Sequence, residues 1–425
     1  MAKEAGALSQ SAPLHPPGIV PDRPLIALPI GPLAGLVVLF ALIMTPLLGP
    51  LAVLLFLAAG GLMIVSKLEH SAQAAMRYWP LFLLPLFCLL STLWSQYPGV
   101  TLRYAIQLGI TVLVAVVMAV RVSPKLLLRY LFGIYAFGIL ASALFGRVRD
   151  DIGAWVGIFG SKNAFAAVAS GLALTSLAVL FDRSAPRLLR LAALGGLVAA
   201  FPFLLLAQST GHLIATIVAL GISFLVLATR RVGPKQKIAL LVAAFMVALL
   251  LLGFVYFYGE MLLADLLQAS GKDPTITGRT DLWAVGLDSI RRNPLLGVGY
   301  QAFWVQGSGP AEMLWAMFGI KARAGFHFHN MYISNAVEIG LVGLGIELAI
   351  VFGALFALLR WIVRSSTPEN AYLLSFLTAL LSTSFAEVPV FFQFNISSVI
   401  VIMAFVHATQ MNEVWRARDG TRPLA

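Results

Sequence analysis

Long apolar runs dominate the chain and polar positions are confined to short breaks between them. Runs of roughly twenty residues, the length that crosses a bilayer core as a helix, fall near 25–45, 48–66, 79–95, 102–120, 127–146, 163–181, 189–207, 211–229, 238–258, 339–359, 371–387 and 390–410. The pattern predicts an all-α polytopic membrane protein of about twelve transmembrane helices. Within the first stretch, Thr45-Pro-Leu-Leu-Gly-Pro50 is a turn signal that cuts one long run in two.

The breaks alternate in charge. With the N-terminus inside, the inner segments carry Lys3, Arg23, Lys67, Arg77, Arg121, Lys125, Arg129 and further basic residues, 19 of the 29 Lys and Arg in the chain. Every inner loop is then basic, as the positive-inside bias requires, and both termini are expected in the cytoplasm. Most outer breaks are very short. The exceptions are 147–162 and the segment after residue 259, between the ninth and tenth runs. That long outer segment has six basic and six acidic residues, tryptophans and helical periodicity, so it reads as an ordered functional domain. The expected layout is an inner tail (1–24), helices 1–9 (25–258), an outer catalytic loop (259–338), helices 10–12 (339–410) and an inner tail (411–425).

Composition excludes the alternatives to a membrane protein. Sixty per cent of residues are hydrophobic and 11% charged, against roughly 25% charged in soluble domains. The formal charge of +11 would suggest nucleic acid in a soluble protein. Here the inner basic residues account for it, and no nucleic-acid partner is expected. The single cysteine, Cys88, lies inside an apolar run, which removes disulfides and thiolate metal sites.

The outer basic residues run against the insertion bias, and three places stand out. Arg279 lies in Asp273-Pro-Thr-Ile-Thr-Gly-Arg-Thr-Asp281, at the start of a helical pattern through Trp283, Leu287 and Ile290. A guanidinium beside the free N–H groups of a helix N-terminus suits a phosphate or pyrophosphate. The plainer alternative is an arginine paired with Asp281. Lys162, with Asn163, stands directly before the sixth run, at the level of a lipid headgroup; the plainer alternative is a snorkelling lysine. The third place is Lys321-Ala-Arg-Ala-Gly-Phe-His-Phe-His-Asn330, which contains Arg323, His327, His329 and Asn330. Two histidines two apart share a face only on extended chain. Without nearby acidic or thiol ligands they are a weak metal signal. A histidine beside cations stays neutral more readily and suits a general base, or is simply a hydrogen-bonded interfacial residue. Ser209, Thr210 and His212 add a polar cluster at the outer end of the eighth run. Glu347, Glu387 and His407 are the ionisable groups within or near the ends of spans.

At these residues the chain resembles the O-antigen ligases and related polysaccharide polymerases. The resemblance covers the whole layout. Its most specific parts are Thr277-Gly-Arg-Thr-Asp-Leu-Trp283, then Asn293-Pro-Leu-Leu-Gly-Val-Gly-Tyr300 with Phe303-Trp304, then His329-Asn330 followed after nine residues by Gly340-Leu-Val-Gly343. It implies a GT-C-like, metal-independent, inverting glycosyltransferase without cofactors in the bacterial inner membrane, acting on its periplasmic side. It also implies an undecaprenyl-pyrophosphate-linked oligosaccharide donor and a glycan or lipid A-core acceptor, with a flippase and a chain-length regulator as partners. Carried over, Arg279 holds the pyrophosphate and His329 activates the acceptor hydroxyl. Lys162, Asn163, Thr210, Arg323, His327 and Asn330 are expected to bind substrate. One departure is Gln208-Ser-Thr-Gly-His212, where ligases proper carry a second arginine; Lys162 is the nominated replacement. The Ser-Lys-Asn at 161–163 and the wording around Arg279 are closer to exopolysaccharide polymerases of the succinoglycan type. The alternatives are a lipid A-core ligase, a twelve-helix secondary transporter, which would show repeated halves, and a membrane scaffold without catalysis.

Overall fold

The structure is a computed structural model that describes residues 30–150, 152–243, 246 and 279–420. The inner N-terminal tail, most of the ninth expected span, residues 259–278 of the outer loop and the last five residues lie outside the described residues.

The helices are α1 (Ile30–Ile43), α2 (Pro50–Val65), α3 (Leu68–Arg77), α4 (Trp79–Leu93), α5 (Pro98–Arg121), α6 (Pro124–Phe145), α7 (Lys162–Leu180), α8 (Arg187–Leu206), α9 (Thr210–Ala228), α10 (Arg279–Arg292), α11 (Gly309–Met317), α12 (Met331–Arg364), α13 (Pro368–Thr383) and α14 (Ile396–Gly420). Among the described residues six are long and apolar enough to cross a membrane (α5 to α9, with α9 counted to Arg231, and α12), or seven if α2 and α3 form one broken span. The remaining expected spans correspond to α1 and α13, shorter helices of 14 and 16 residues, to the broken helix α4, and to α14.

Start signals are chemical. Pro98 and Pro124 occupy the first turns of α5 and α6, where a missing N–H costs nothing. Ser161 caps α7 by accepting from the Ala164 N–H, and Thr367 with Asn370 forms a reciprocal capping box on α13. The chain bends by 99° between α2 and α3. The apolar α2 gives way there to an amphipathic helical segment, Leu68 to Arg77, that falls between two hydrophobic runs.

Helix α7 is the central pillar, packed against α6, α8, α9 and α13. Its Ala, Gly and Ser residues let neighbours approach closely: a Cβ on Gly171 would stand 2.6 Å from the Tyr135 ring. By contrast α8 exposes Leu188, Leu191, Val198 and Leu205 on its outer face, as a lipid-facing helix must. A small antiparallel pair, β1 (Arg147–Val148) and β2 (Trp155–Gly157), leads into α7 with Arg147 opposite Gly157.

Helix α12 starts at Met331, eight residues before the expected span, and breaks at Gly340, where φ is 64°. A break strands backbone groups that lipid cannot satisfy. The loop 294–299 satisfies them. The N–H groups of Val298 and Gly299 donate to the carbonyls of Val337 and Glu338, and those of Leu341 and Val342 donate to the carbonyls of Pro294 and Leu295, at 2.8–3.2 Å. Backbone meets backbone so closely that a Cβ on Gly297 would lie 2.5 Å from the Glu338 carbonyl, and one on Gly340 would lie 2.2 Å from the Leu295 carbonyl oxygen. The two glycine-bearing motifs of the sequence are therefore one interlocked unit. Tyr300 fastens it to the bundle, its hydroxyl donating to the Phe391 carbonyl at 3.0 Å.

Candidate active site

Two helix N-termini and the first described turn of α10 converge on one cleft. Lys162 is the first residue of α7, Thr210 of α9, and Arg279 the first described residue of α10. All three line a cleft of about 310 Å³ with Asn163, Gln208, Ser209, His212 and Glu387. Helix N-termini present unpaired N–H groups and the positive ends of their dipoles. Two cationic side chains at such ends make the cleft suited to an anion. Gln208, in left-handed backbone with φ 50°, turns its carbonyl to accept from Lys162 Nζ at 3.4 Å. The lysine nominated for the absent arginine thus touches the segment where that arginine was missed.

The histidine loop is pinned from α10. Leu282 and Gly286 are buried, and the Trp283 indole N–H donates to the Phe328 carbonyl at 2.8 Å. Gly286 sits so close that a Cβ there would be 2.6 Å from Ile333 Cγ2. The arginine-bearing motif and the His-Asn motif, 50 residues apart (329 − 279), are thereby in contact. His329 adopts φ 48°, a left-handed conformation that costs energy in a residue with a Cβ.

Glu387 is the residue that sequence reasoning undervalued. It lies four residues beyond the last residue of α13, and one oxygen accepts from Asn163 Nδ2 at 2.5 Å. Its other oxygen lies 3.5 Å from His329 Nδ1 and 3.7 Å from His327 Nε2. Asn163 Oδ1 accepts from the Ser209 hydroxyl at 3.0 Å. That hydroxyl, its only proton spent, must accept from His212 Nδ1, also at 3.0 Å. A hydrogen-bonded chain therefore runs from His212 through Ser209 and Asn163 to Glu387, whose free oxygen faces the two loop histidines. Burial alone would raise the Glu387 carboxyl, but the neighbouring His329, with His327 and His212, outweighs it and holds it below the usual carboxylate range. Burial, reinforced by His329 and Arg279, pushes His327 down to about 4 despite Glu387.

The ring centroids of His327 and His329 lie 4.2 Å apart, because the turn at His329 brings both rings to one side. With Glu387 they form a potential metal triad. His327 is ill suited to it. Its Nδ1 accepts from the His329 N–H at 3.0 Å, so the ring proton resides on Nε2, the atom that faces Glu387. Ligation there would require an imidazolate.

Two expected substrate ligands are otherwise engaged. Asn330 is buried and caps α12, accepting from the Ile333 N–H at 3.1 Å. The signal for this was in the sequence, an asparagine directly before a helical run. Arg323 is exposed and paired with Glu312 on α11, away from the cleft lining.

Beneath the cleft lies a second, largely apolar chamber of about 470 Å³. It shares Asn163, His212 and Glu387 with the cleft, and Ile43, Tyr135, Val168, Phe376 and Phe394 line it among others. Polar cleft and apolar chamber together have the form of an amphiphile's headgroup and tail.

The chain belongs to the O-antigen ligase family, whose sequence profile, "O-Antigen ligase", matches residues 195–348. That region carries Arg279, His329 and the interlocked glycines. The chain is 33% identical over 331 residues to the exopolysaccharide production protein ExoQ of Rhizobium meliloti (strain 1021), covering 76% of this chain and 75% of that one. These relationships make it a bacterial membrane protein with a polysaccharide polymerase or ligase role.

Proposed function

We propose that the protein is an exopolysaccharide polymerase that transfers a glycan from undecaprenyl pyrophosphate to a sugar hydroxyl on the outer face of the inner membrane. The observation that carries this reading is the cleft holding Lys162 and Arg279, which shares Asn163, His212 and Glu387 with an apolar chamber and has His329 3.5 Å from the Glu387 carboxylate. The pyrophosphate lies on Lys162 and Arg279 with the first isoprene units in the chamber. The acceptor oxygen attacks the anomeric carbon as its proton passes to His329 Nε2. The bond from that carbon to pyrophosphate breaks, its electron pair leaving with the phosphate oxygen. Lys162, Arg279 and the helix N–H groups stabilise the charge that develops there. Glu387 keeps the proton of neutral His329 on Nδ1 and steadies the imidazolium that forms. Displacement in one step inverts the anomeric centre. The site residues themselves supply the charges and the base, so the reading needs no metal.

Sidedness is supported by the contacts. Arg77–Glu413, Arg129–Asp182, Arg121–Ser66, Arg364–Asn412 and Lys237 to the Ile362 carbonyl each join two segments expected inside. Trp94–Leu296, Lys162–Gln208 and Asn163–Glu387 each join two expected outside.

The test is turnover of a lipid-pyrophosphate oligosaccharide by purified protein in nanodiscs. Longer lipid-linked chains are expected; transfer only to lipid A-core would make the protein a ligase. His329→Ala and Arg279→Ala should each lower turnover by roughly 10²- to 10⁴-fold, the span of a lost general base or charge stabiliser. Full activity in both variants would overturn the assignment.

A further inference from the structure

Helix α10 has two working faces. Leu282, Trp283 and Gly286 hold the histidine loop, whereas Ala284, Val285, Asp288, Ser289 and Arg292 line a separate cavity of about 600 Å³ on the opposite side. Phe303, Met313 and Gln96 complete its wall. A neighbouring cavity of about 360 Å³, lined by Trp94, Leu295 and Leu296 among others, shares Gln96, Asn293 and Val298 with it. The two are halves of one trough. It begins at Ala284, about 7.5 Å along the helix axis from Arg279 at 1.5 Å per residue, and leads away from the cleft.

The lining mixes two chemistries. Planar hydrogen-bonding groups (Gln96, Asn293 and the exposed Asp288–Arg292 pair at 2.6 Å) alternate with apolar surface from Val285, Val298, Phe303 and Met313. A lipid tail does not fit, because it would strip water from an amide, a carboxylate and a guanidinium without replacing their hydrogen bonds. A peptide added as a strand has no unpaired strand edge here among the described residues, whose only strands are β1 and β2 beside α7. A sugar chain matches both parts: its C–H faces meet the apolar surface and its hydroxyl edges meet amide, carboxylate and guanidinium.

We propose that this trough is a glycan-binding subsite that holds sugar units of the acceptor chain several positions removed from the reacting hydroxyl, so that long acceptors bind better than short ones. The proposal rests on the polymerase reading and concerns surface outside its catalytic cleft.

The probes are oligosaccharides of one and four repeat units, made by partial hydrolysis of the surface polysaccharide lost when the gene is deleted. Binding of the free four-repeat probe to the full chain in nanodiscs is measured by calorimetry, beside transfer to each probe. Gln96→Ala with Asp288→Ala, and separately Ala284→Trp, should weaken four-repeat binding at least tenfold and raise its KM equally. Transfer to the one-repeat probe should stay within twofold, and His329→Ala should bind the four-repeat probe like the wild type. Wild-type affinity in both trough variants, or no binding of the four-repeat probe by the wild-type chain, overturns the subsite. If the trough variants lose binding while the wild-type chain transfers nothing, the subsite stands and the polymerase reading falls. The double alanine variant leaves packing intact and keeps the test decisive should Ala284→Trp fail to insert.

Discussion

Glu387 joins two halves of the site that the chain makes far apart. One oxygen is fixed by Asn163 at the head of α7, and the other faces the two imidazoles of the histidine loop. Its carboxyl sits below the usual range, so its contribution to stability is complete above the unfolded carboxyl pKa, roughly 4.3. That contribution is lost as pH falls through the lower folded value. Glu387→Gln keeps the shape and removes the charge. It should lower kcat on the order of 10²-fold, as an unsteadied base would, with little change in the KM for donor. It should also remove part of the acid-induced drop in thermal stability. An unchanged kcat would leave the carboxylate a purely structural role. The sequence exposed Arg279, Lys162 and His329 because each breaks a local rule: a cation on the outer side, or a histidine beside cations. Glu387 breaks none. It reads as an ordinary acid near a helix end, and its partners are set only by tertiary packing across 224 residues (387 − 163).

At the scale of elements, the unit that matters is the loop 294–299 locked into the break of α12. Gly297→Ala forces a side chain into left-handed backbone and against the Glu338 carbonyl. The strain alone is about 1–3 kcal/mol, and the thermal midpoint in detergent should fall accordingly, with activity falling alongside it. Gly345 in the same helix is the control, because nothing lies within 4 Å of a Cβ there. Gly345→Ala should leave the midpoint unchanged or raise it, since alanine is the better helix former. Equal losses in both variants would show that the interlock is not special. Hydrophobic runs located most helices to within a few residues, as for 102–120 against Pro98–Arg121 and 163–181 against Lys162–Leu180. They could not show that α12 breaks at Gly340, because the stranded groups are met by a loop some 40 residues earlier. Nor do they show that Leu68–Arg77, in the gap between two runs, is helical, since a ten-residue segment with polar positions does not resemble a span.

Across the whole molecule, the division of contacts between two sides gives a direct test of orientation. Cys88 is buried, so single added cysteines can be read against a silent background. Gln96→Cys and Met317→Cys should react with a membrane-impermeant thiol reagent in intact spheroplasts. Lys125→Cys and Arg416→Cys should react only after lysis. Labelling of the second pair before lysis would invert the arrangement and put the cleft on the wrong side for an outer-face reaction.

The polar chain from His212 to the loop histidines has a consequence for biogenesis. A ribosome delivers Asn163 first, then Ser209 and His212, then Arg279 and His329, and Glu387 only 58 residues after His329. The stranded backbone of α12 and the loop that meets it can pair only once both have left the translocon. Until α13 is inserted, the histidines lack their carboxylate and Asn163 lacks its acceptor. On the proposed function, a nascent or truncated chain therefore reaches the membrane with its apolar chamber half walled and the proposed base unsupported. On that reading the protein becomes competent only when almost the whole chain is in the bilayer, which keeps a partly built molecule from acting on lipid-linked sugars.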